Sequence, residues 1–427
     1  MNKRRRRKPY SCRSFERFLQ FALFACILVV VWIKYSSPRT RGIVPDSVEL
    51  PDALIKEKLE RVDGGTILYG SLGMQATKYE HGLPMPEPFS DPVNVVIHNS
   101  ASSFRWKKTM GFTGESLQNE NILEALKILN VTVHIVDYGL SNFASFRKIC
   151  SLALEGKIDR IDALIVSGAD RANYFAKNTD KEPFFKPNQI LLLDDFGRIP
   201  SGQIPPSHVL SWQPMPKNTF LGCYLDLEKE RKLLVDKNIE RLEEGMIWGK
   251  HDDYFPFQTK RMLVDVSKRY KLHTSSRSSV FNGFDAHNIK HHGKMPRTQY
   301  HQLMKSMTFF VGLGDPLVAP SAIEAMFQGV TVILPIYAKP RVINGQAHRS
   351  QYDQLLFDFP AKYPKTFRHC VCGYEQGSTS SLNKCIDLAI KWAREDDSRE
   401  CSVPEFSKTA FVKRLKSAID MALMDVL

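Results

Sequence analysis

One stretch constrains this chain more than any other: Phe309 to Tyr337, FFVGLGDPLVAPSAIEAMFQGVTVILPIY. Phe309, Phe310 and Val311 are an apolar run of the buried-strand kind. Gly312 and Gly314 let the backbone turn tightly without a Cβ clash. Pro316 and Pro320 hold the loop, and Pro320 suits the place where a helix begins. Ser321 to Phe327 reads as one or two helical turns, closed by Gly329 as a C′ glycine. Val330 to Leu334 is apolar and rich in β-branched residues, the next strand. Strand, glycine loop, helix, strand is a βαβ unit, and such a unit demands a parallel sheet. It sets the helix N-terminus at the sheet's carboxyl end, where α/β folds bind ligands and where phosphates are favoured.

Glu324 lies three or four residues into that helix. A carboxylate there can accept two hydrogen bonds from a vicinal diol such as a ribose; a solvated helix glutamate is the plain alternative. The G-x-G pair lacks the third glycine of a dinucleotide fingerprint.

The rest of the chain follows the same logic. Val93–His98, Val131–Val136, Ala163–Val166 and Ile190–Leu193 read as strands. Between them, Gly114-Glu115 opens a helix whose apolar face is Ile122, Leu123, Leu126 and Leu129, and Phe143–Glu155 forms another. Strands alternating with helices predict a doubly wound parallel sheet. Asn99–Thr113 is a polar loop at the first strand's carboxyl end, and Asp194-Asp195 reads as a strand-end turn. Pro200–Pro216 reads as a linker between domains. Beyond it, Leu227–Gly245 reads as a charged helix and Met246–Trp248 as a short strand with Gly249-Lys250 at its exit. Helices are expected at Thr259–Tyr270, Tyr300–Met307, Asp353–Leu356 and Leu382–Arg394. Phe411, Leu415, Ile419, Ala422 and Val426 make the stripe of a terminal amphipathic helix.

The net charge of +13 invites a nucleic-acid reading. Residues 1–17 hold eight Lys and Arg against Glu16, so about +7 of it is tail and about +6 is left for the body. That balance argues against nucleic acid and suits an anionic small ligand. The tail precedes Phe18–Ile33, which carries no charge and has Gln20 as its one strongly polar residue. As a helix it would span about 24 Å, short of a ~30 Å hydrocarbon core. Basic residues before the span put the N-terminus in the cytosol and the body across the membrane. A short span suits the thinner membranes of the early secretory pathway. No A-x-A site follows Ile33, which favours a signal-anchor over a cleaved signal peptide. A sparsely patterned stem follows, up to Asp91.

Of eight cysteines, Cys12 and Cys26 lie in the tail and span. Cys150, Cys223, Cys370, Cys372, Cys385 and Cys401 remain, an even number that permits disulfides in an oxidising compartment. The last four crowd together as a local framework, with the pairing open. Asn130-Val131-Thr132 is a glycosylation sequon, and equally the polar turn between a helix and a strand.

The pattern G-L-G-x-P-x-x-x-P-x-x-x-E-A-x-x-x-G resembles the nucleotide-sugar site of glycosyltransferase family 18, the N-acetylglucosaminyltransferase V enzymes. Asn218-Thr219-Phe220-Leu221-Gly222, Trp248-Gly249-Lys250 and His292-Gly293 are similar to that family too, within a resemblance running from about Pro92 to Tyr363. It implies a GT-B-like architecture, two doubly wound parallel-sheet domains facing a cleft, here preceded by one transmembrane helix and a short stem. The expected division is 1–17 cytosolic tail, 18–33 signal-anchor, 34–91 stem, 92–216 an acceptor-side α/β domain and 217–427 a nucleotide-sugar-side α/β domain. The implied activity is that of a Golgi, type II, metal-independent inverting transferase without a cofactor. It would move N-acetylglucosamine from UDP-GlcNAc to a mannose of an N-glycan on a glycoprotein, in β1,6 linkage. Alternatives are a GT-B transferase with another nucleotide-sugar donor and a silent luminal lectin or scaffold.

The resemblance makes Glu115, following a glycine at a helix start, the general base. Donor-binding residues would be Gly312, Gly314, Pro320, Ser321, Glu324, Lys250 and His292, with His292 lining the base or ribose pocket. Lys339 and Arg341, just past a strand, would meet the acceptor. No metal ligands are expected, and Asn130 is the glycosylation candidate. The chain departs from the family at Asp315 and Val318, where an aromatic residue and a glutamate are usual.

Overall fold

A computed structural model describes residues 84–99, 114–137, 141–179, 184–194, 197, 204–212, 217–226, 240–249, 251–314, 320–343, 346–351, 369–395, 401 and 404–424. All fall in one compact unit, Gly73–Leu427. The tail, the apolar segment Phe18–Ile33 and the expected stem as far as residue 83 lie outside the described residues. Among the described residues no helix is long and apolar enough to cross a membrane.

The chain folds as α/β with two sheets. The first is parallel throughout, from β1 (Asn94–Asn99), β2 (Thr132–Asp137), β3 (Ala163–Ser167), β4 (Ile190–Leu193), β5 (Val209–Ser211) and β6 (Thr219–Phe220). Its order is β2-β1-β3-β4-β5-β6. Side chains alternate faces along each strand. Val95, Ile97, Ala163, Ile165, Leu191 and Leu193 meet α1 (Gly114–Ile128) on one face. Val96, Leu164, Val166, Ile190 and Leu192 meet α2 (Asn142–Leu154) and α3 (Ala169–Asn178) on the other. Burial on both faces is why these strands read as continuous apolar runs.

The second sheet is built from β7 (Leu242–Trp248), β8 (Leu272–Thr274), β9 (Ile289–His291), β10 (Met307–Gly312), β11 (Thr331–Ile343), β12 (Gln346–Ser350) and β13 (Val371–Glu375). Its order is β12-β11-β10-β7-β8-β9, with β13 paired to β11. All pairs are parallel except β11 with β12. One face packs on α4 (Phe257–Ser267) and α7 (Thr379–Glu395). The other packs on α5 (Arg297–Ser306) and α6 (Ser321–Phe327), and Leu117, Trp212, Phe220 and Cys223 of the first half join that core.

Several sequence expectations change. The proline-rich stretch read as a linker contains β5, and Trp212 beside it is buried. A helix expected to run to Gly245 gives way to β7 from Leu242, while 227–239 lies outside the described residues. At Gly245 a Cβ would stand 1.9 Å from the Phe309 ring, so only glycine admits that buried phenyl. Beyond residue 216, where the second domain was expected to begin, β6 still pairs with β5. The terminal helix α8 (Lys408–Met424) also packs on the first half: Phe411, Leu415 and Ile419 lie in the core with Ile97 and Leu126. Arg414 ties it there, donating to the Leu221 carbonyl at 2.9 Å with its guanidinium 4.3 Å from the Phe220 ring centre. The helix expected at Asp353–Leu356 lies outside the described residues.

The cysteine framework is local, as expected. Cys370 pairs with Cys401 and Cys372 with Cys385, while Cys150 and Cys223 are buried elsewhere in the core. Asn130 is exposed in a left-handed turn (φ 58°) between α1 and β2.

Candidate functional site

In the second sheet β7 leads outward to β8 and β9, while β10 leads the other way to β11. The topological switch therefore falls between β7 and β10, and ligands of open α/β sheets bind outside the strand ends at that point. Gly249 and Gly312 end these two strands. At Gly312 a Cβ would lie 2.3 Å from Gln351 Oε1 and 2.9 Å from Leu334, so the glycine is required by space. Gly314 has φ 96°, a conformation L side chains rarely adopt.

The turn is held by side chains from later in the chain. Gly314 N–H donates to Gln351 Oε1 at 3.1 Å. Its carbonyl accepts from the Tyr337 hydroxyl at 3.1 Å and from Arg341 Nη1 at 3.0 Å. The Tyr374 hydroxyl donates to the Gly312 carbonyl at 3.0 Å. Burial raises the Tyr374 phenol far above its ordinary range, so it remains a donor. Arg341 thus lies on the glycine turn, its guanidinium 5.5 Å from the Tyr337 ring centre. Lys339 is exposed on the same strand.

Residues 315–319, including Asp315 and Val318, lie outside the described residues. The chain re-enters at Pro320, which caps α6, with Ser321 its first residue. Glu324 is only 5% exposed, with Oε1 3.4 Å from His301 Nε2. Its charge adds to burial in raising the Tyr300 phenol and the Cys223 thiol.

His292 follows β9, three strands from β10. Its Nε2 lies 2.9 Å from His273 Nδ1, and His273 Nε2 lies 2.6 Å from Glu244 Oε2. Lys271 Nζ lies 2.8 Å from the other Glu244 oxygen. Burial opposes the ionised Glu244, but its hydrogen bonds to Lys271 and His273 win and hold its carboxyl below the usual range. Burial pushes His273, His291 and His292 below the ordinary imidazole range.

Glu115 is the second residue of α1, which follows β1 in the first sheet, so the expected base is on a helix N-terminus at the carboxyl side of its strand. Lys250 lies outside the described residues, directly after Gly249. The structure thus joins Gly312, Gly314 and Arg341, and sets His292 and Glu324 in separate networks. Sequence reasoning missed Gln351, Tyr337, Tyr374, Glu244 and His273. The signal available for His273 was slight, a histidine in the three-residue strand Leu272–Thr274, and the tyrosines gave none.

Fold and strand ends together define an α/β protein whose second sheet carries a glycine turn and a helix at its topological switch. The glycosyltransferase family 18 model matches residues 205–354, a span that holds this whole arrangement except Tyr374, so the resemblance read from the motifs holds there. Over 134 residues the chain is 29% identical to the alpha-1,6-mannosylglycoprotein 6-beta-N-acetylglucosaminyltransferase of Caenorhabditis elegans, covering 29% of this chain and 18% of that protein. It is 25% identical over 128 residues to the human enzyme A of that name, covering 30% of this chain and 17% of the relative. The matched part thus spans under a fifth of the length of these relatives. Among solved structures, AviGT4, a glycosyltransferase involved in avilamycin A biosynthesis, superposes with a TM-score of 0.47 at 10% identity, over 78% of this chain and 98% of that one.

Proposed function

We propose that this chain is an inverting glycosyltransferase that moves N-acetylglucosamine from UDP-GlcNAc to a mannose hydroxyl of an N-glycan in β1,6 linkage, from the luminal side of the Golgi membrane. One observation carries the reading: the strand, glycine turn, helix and strand of Phe309–Tyr337 stand at the switch point of the second sheet and inside the family 18 match. Two facing α/β halves of the GT-B kind would hold donor and acceptor across a cleft.

In the reaction Glu115 takes the proton of the attacking hydroxyl, its oxygen bonds to the anomeric carbon from the face opposite the diphosphate, and UDP departs with the bonding electrons. The helix N-terminus keeps Glu115 ionised, as a base must be. Lys250 and the opening of α6 at Pro320-Ser321 meet the charge that grows on the diphosphate, in place of a metal. Lys339 stands toward the acceptor, Glu324 toward the ribose, and Asn130 carries a glycan. Residues 18–33 anchor the chain in the membrane.

The test is turnover of UDP-GlcNAc on a biantennary N-glycan with EDTA present, with Glu115→Gln run beside the natural chain. Product from the natural chain, a loss of at least about a hundredfold in the variant and unchanged UDP affinity are expected. UDP binding without product would overturn the donor or acceptor assignment, and no binding of UDP would overturn the transferase reading.

A further inference from the structure

Glu244, His273 and His292 form a row across β7, β8 and the end of β9. The two imidazoles meet edge to edge, with centroids 5.1 Å apart and planes 14° from parallel. The row has a direction. An ionised carboxylate can only accept, so neutral His273 carries its proton on Nε2. Its Nδ1 is then a lone pair, and His292 must donate to it from Nε2. The proton of His292 is thereby fixed, and its Nδ1 is left as an acceptor. Burial holds both rings neutral, and the positive charge of Lys290 further opposes protonation of His292.

We propose that this relay presents His292 Nδ1 to the imide N–H of a uracil ring, making His292 a base-selecting residue and Glu244 and His273 its positioning residues. The inference rests on the donor reading above and adds how the base is chosen. β9 stands three strand steps from β10, about 14 Å along the carboxyl edge, a separation a nucleoside diphosphate bridges between its base and its outer phosphate. Gly293 follows with φ 64°, and no atom lies within 4 Å of where its Cβ would be, which leaves room beside the ring. Uracil N3 carries a hydrogen and donates, whereas cytosine N3 carries a lone pair and accepts. One imidazole lone pair therefore attracts the first base and repels the second.

The experiment is calorimetric titration of UDP and CDP into the full chain and into His292→Ala, His273→Phe and Glu244→Gln. The natural chain should prefer UDP about tenfold or more, the 1.4 kcal/mol of one hydrogen bond. That preference should approach unity in His292→Ala and His273→Phe. In Glu244→Gln it should reverse toward CDP: Lys271 keeps the amide oxygen, the amide nitrogen donates to His273, and both histidine tautomers invert. Acidification should weaken UDP binding and spare CDP binding. An unchanged ratio in all three variants, or an equal loss of both nucleotides, would overturn the relay alone. A natural chain that binds neither nucleotide would overturn the donor reading with it. Should the variants fail to fold, the 15N signals of His292 in the natural chain decide: a protonated Nε2 with a bare Nδ1 supports the relay, and the reverse overturns it.

Discussion

The two sheets hold their carboxyl ends by different means. In the first, at the ends of β4 and β5, neighbouring backbone does it: Asp194 N–H donates to the Leu210 carbonyl at 3.1 Å, and Leu221 N–H to the Ser211 carbonyl at 2.9 Å, with Arg414 as the one side chain described above that reaches in, on the Leu221 carbonyl. In the second, side chains reach back from 23 to 62 positions later, with Tyr337, Arg341 and Gln351 on Gly314 and Tyr374 on Gly312. Backbone stitching works with almost any sequence. Side-chain clamps make the geometry of one turn depend on four particular residues, as a site that must be preorganised requires.

The sharpest way to break this contrast is one methyl group in each half. Gly312→Ala drives a Cβ into Gln351 and Leu334, and Gln351 cannot move without releasing Gly314. A loss of about 3 kcal/mol in urea unfolding is expected. Gly156→Ala, in the first half, meets open space and suffers only its left-handed backbone (φ 65°), about 1 kcal/mol. Equal losses would mean the turn is no tighter than an ordinary loop. Next in size, Tyr374→Phe leaves the Gly312 carbonyl without its hydroxyl, costing about 1–2 kcal/mol by the same measurement.

Acid should act on the second half as well. His273, His291 and His292 resist protonation when folded, whereas unfolded imidazoles take up protons near their ordinary value of about 6.5. Just below that value the unfolded chain binds more protons, so stability falls as pH falls. Melting temperatures between pH 7.5 and 5 should decline, and His273→Phe should flatten part of the slope. At the small end, Arg394→Ala removes an exposed fork on Glu243 and should leave the melting temperature within error. A clear drop there would show that surface pairs contribute to this half.

The strand, glycine, helix and strand of Phe309–Tyr337 were legible because each apolar run is buried and each punctuating residue has a local job. Ser321–Phe327 has the bounds the sequence suggests. What was illegible was short or distant. β5, β8 and β9 have three residues each, too few to establish a period, and β5 is hidden among prolines. The helix expected up to Gly245 failed because Glu243 and Glu244 look helical in sequence, yet sit at the exposed start of a strand. Helix α3 escaped notice because it buries Ala172, Phe175 and Ala176, with one large residue among them. Glu115 and His292 were singled out through motif resemblance, whereas the clamp on Gly314 arises from tertiary contact and leaves no local trace.

The last helix has a consequence for how the protein is made. The ribosome delivers β1 to β6 early, but Phe411, Leu415 and Ile419, which fill one face of that sheet, emerge some two hundred residues afterwards. N-terminal units ordinarily settle during synthesis. Here α1 covers part of that face early, and the rest stays open until nearly the whole described chain has been translated.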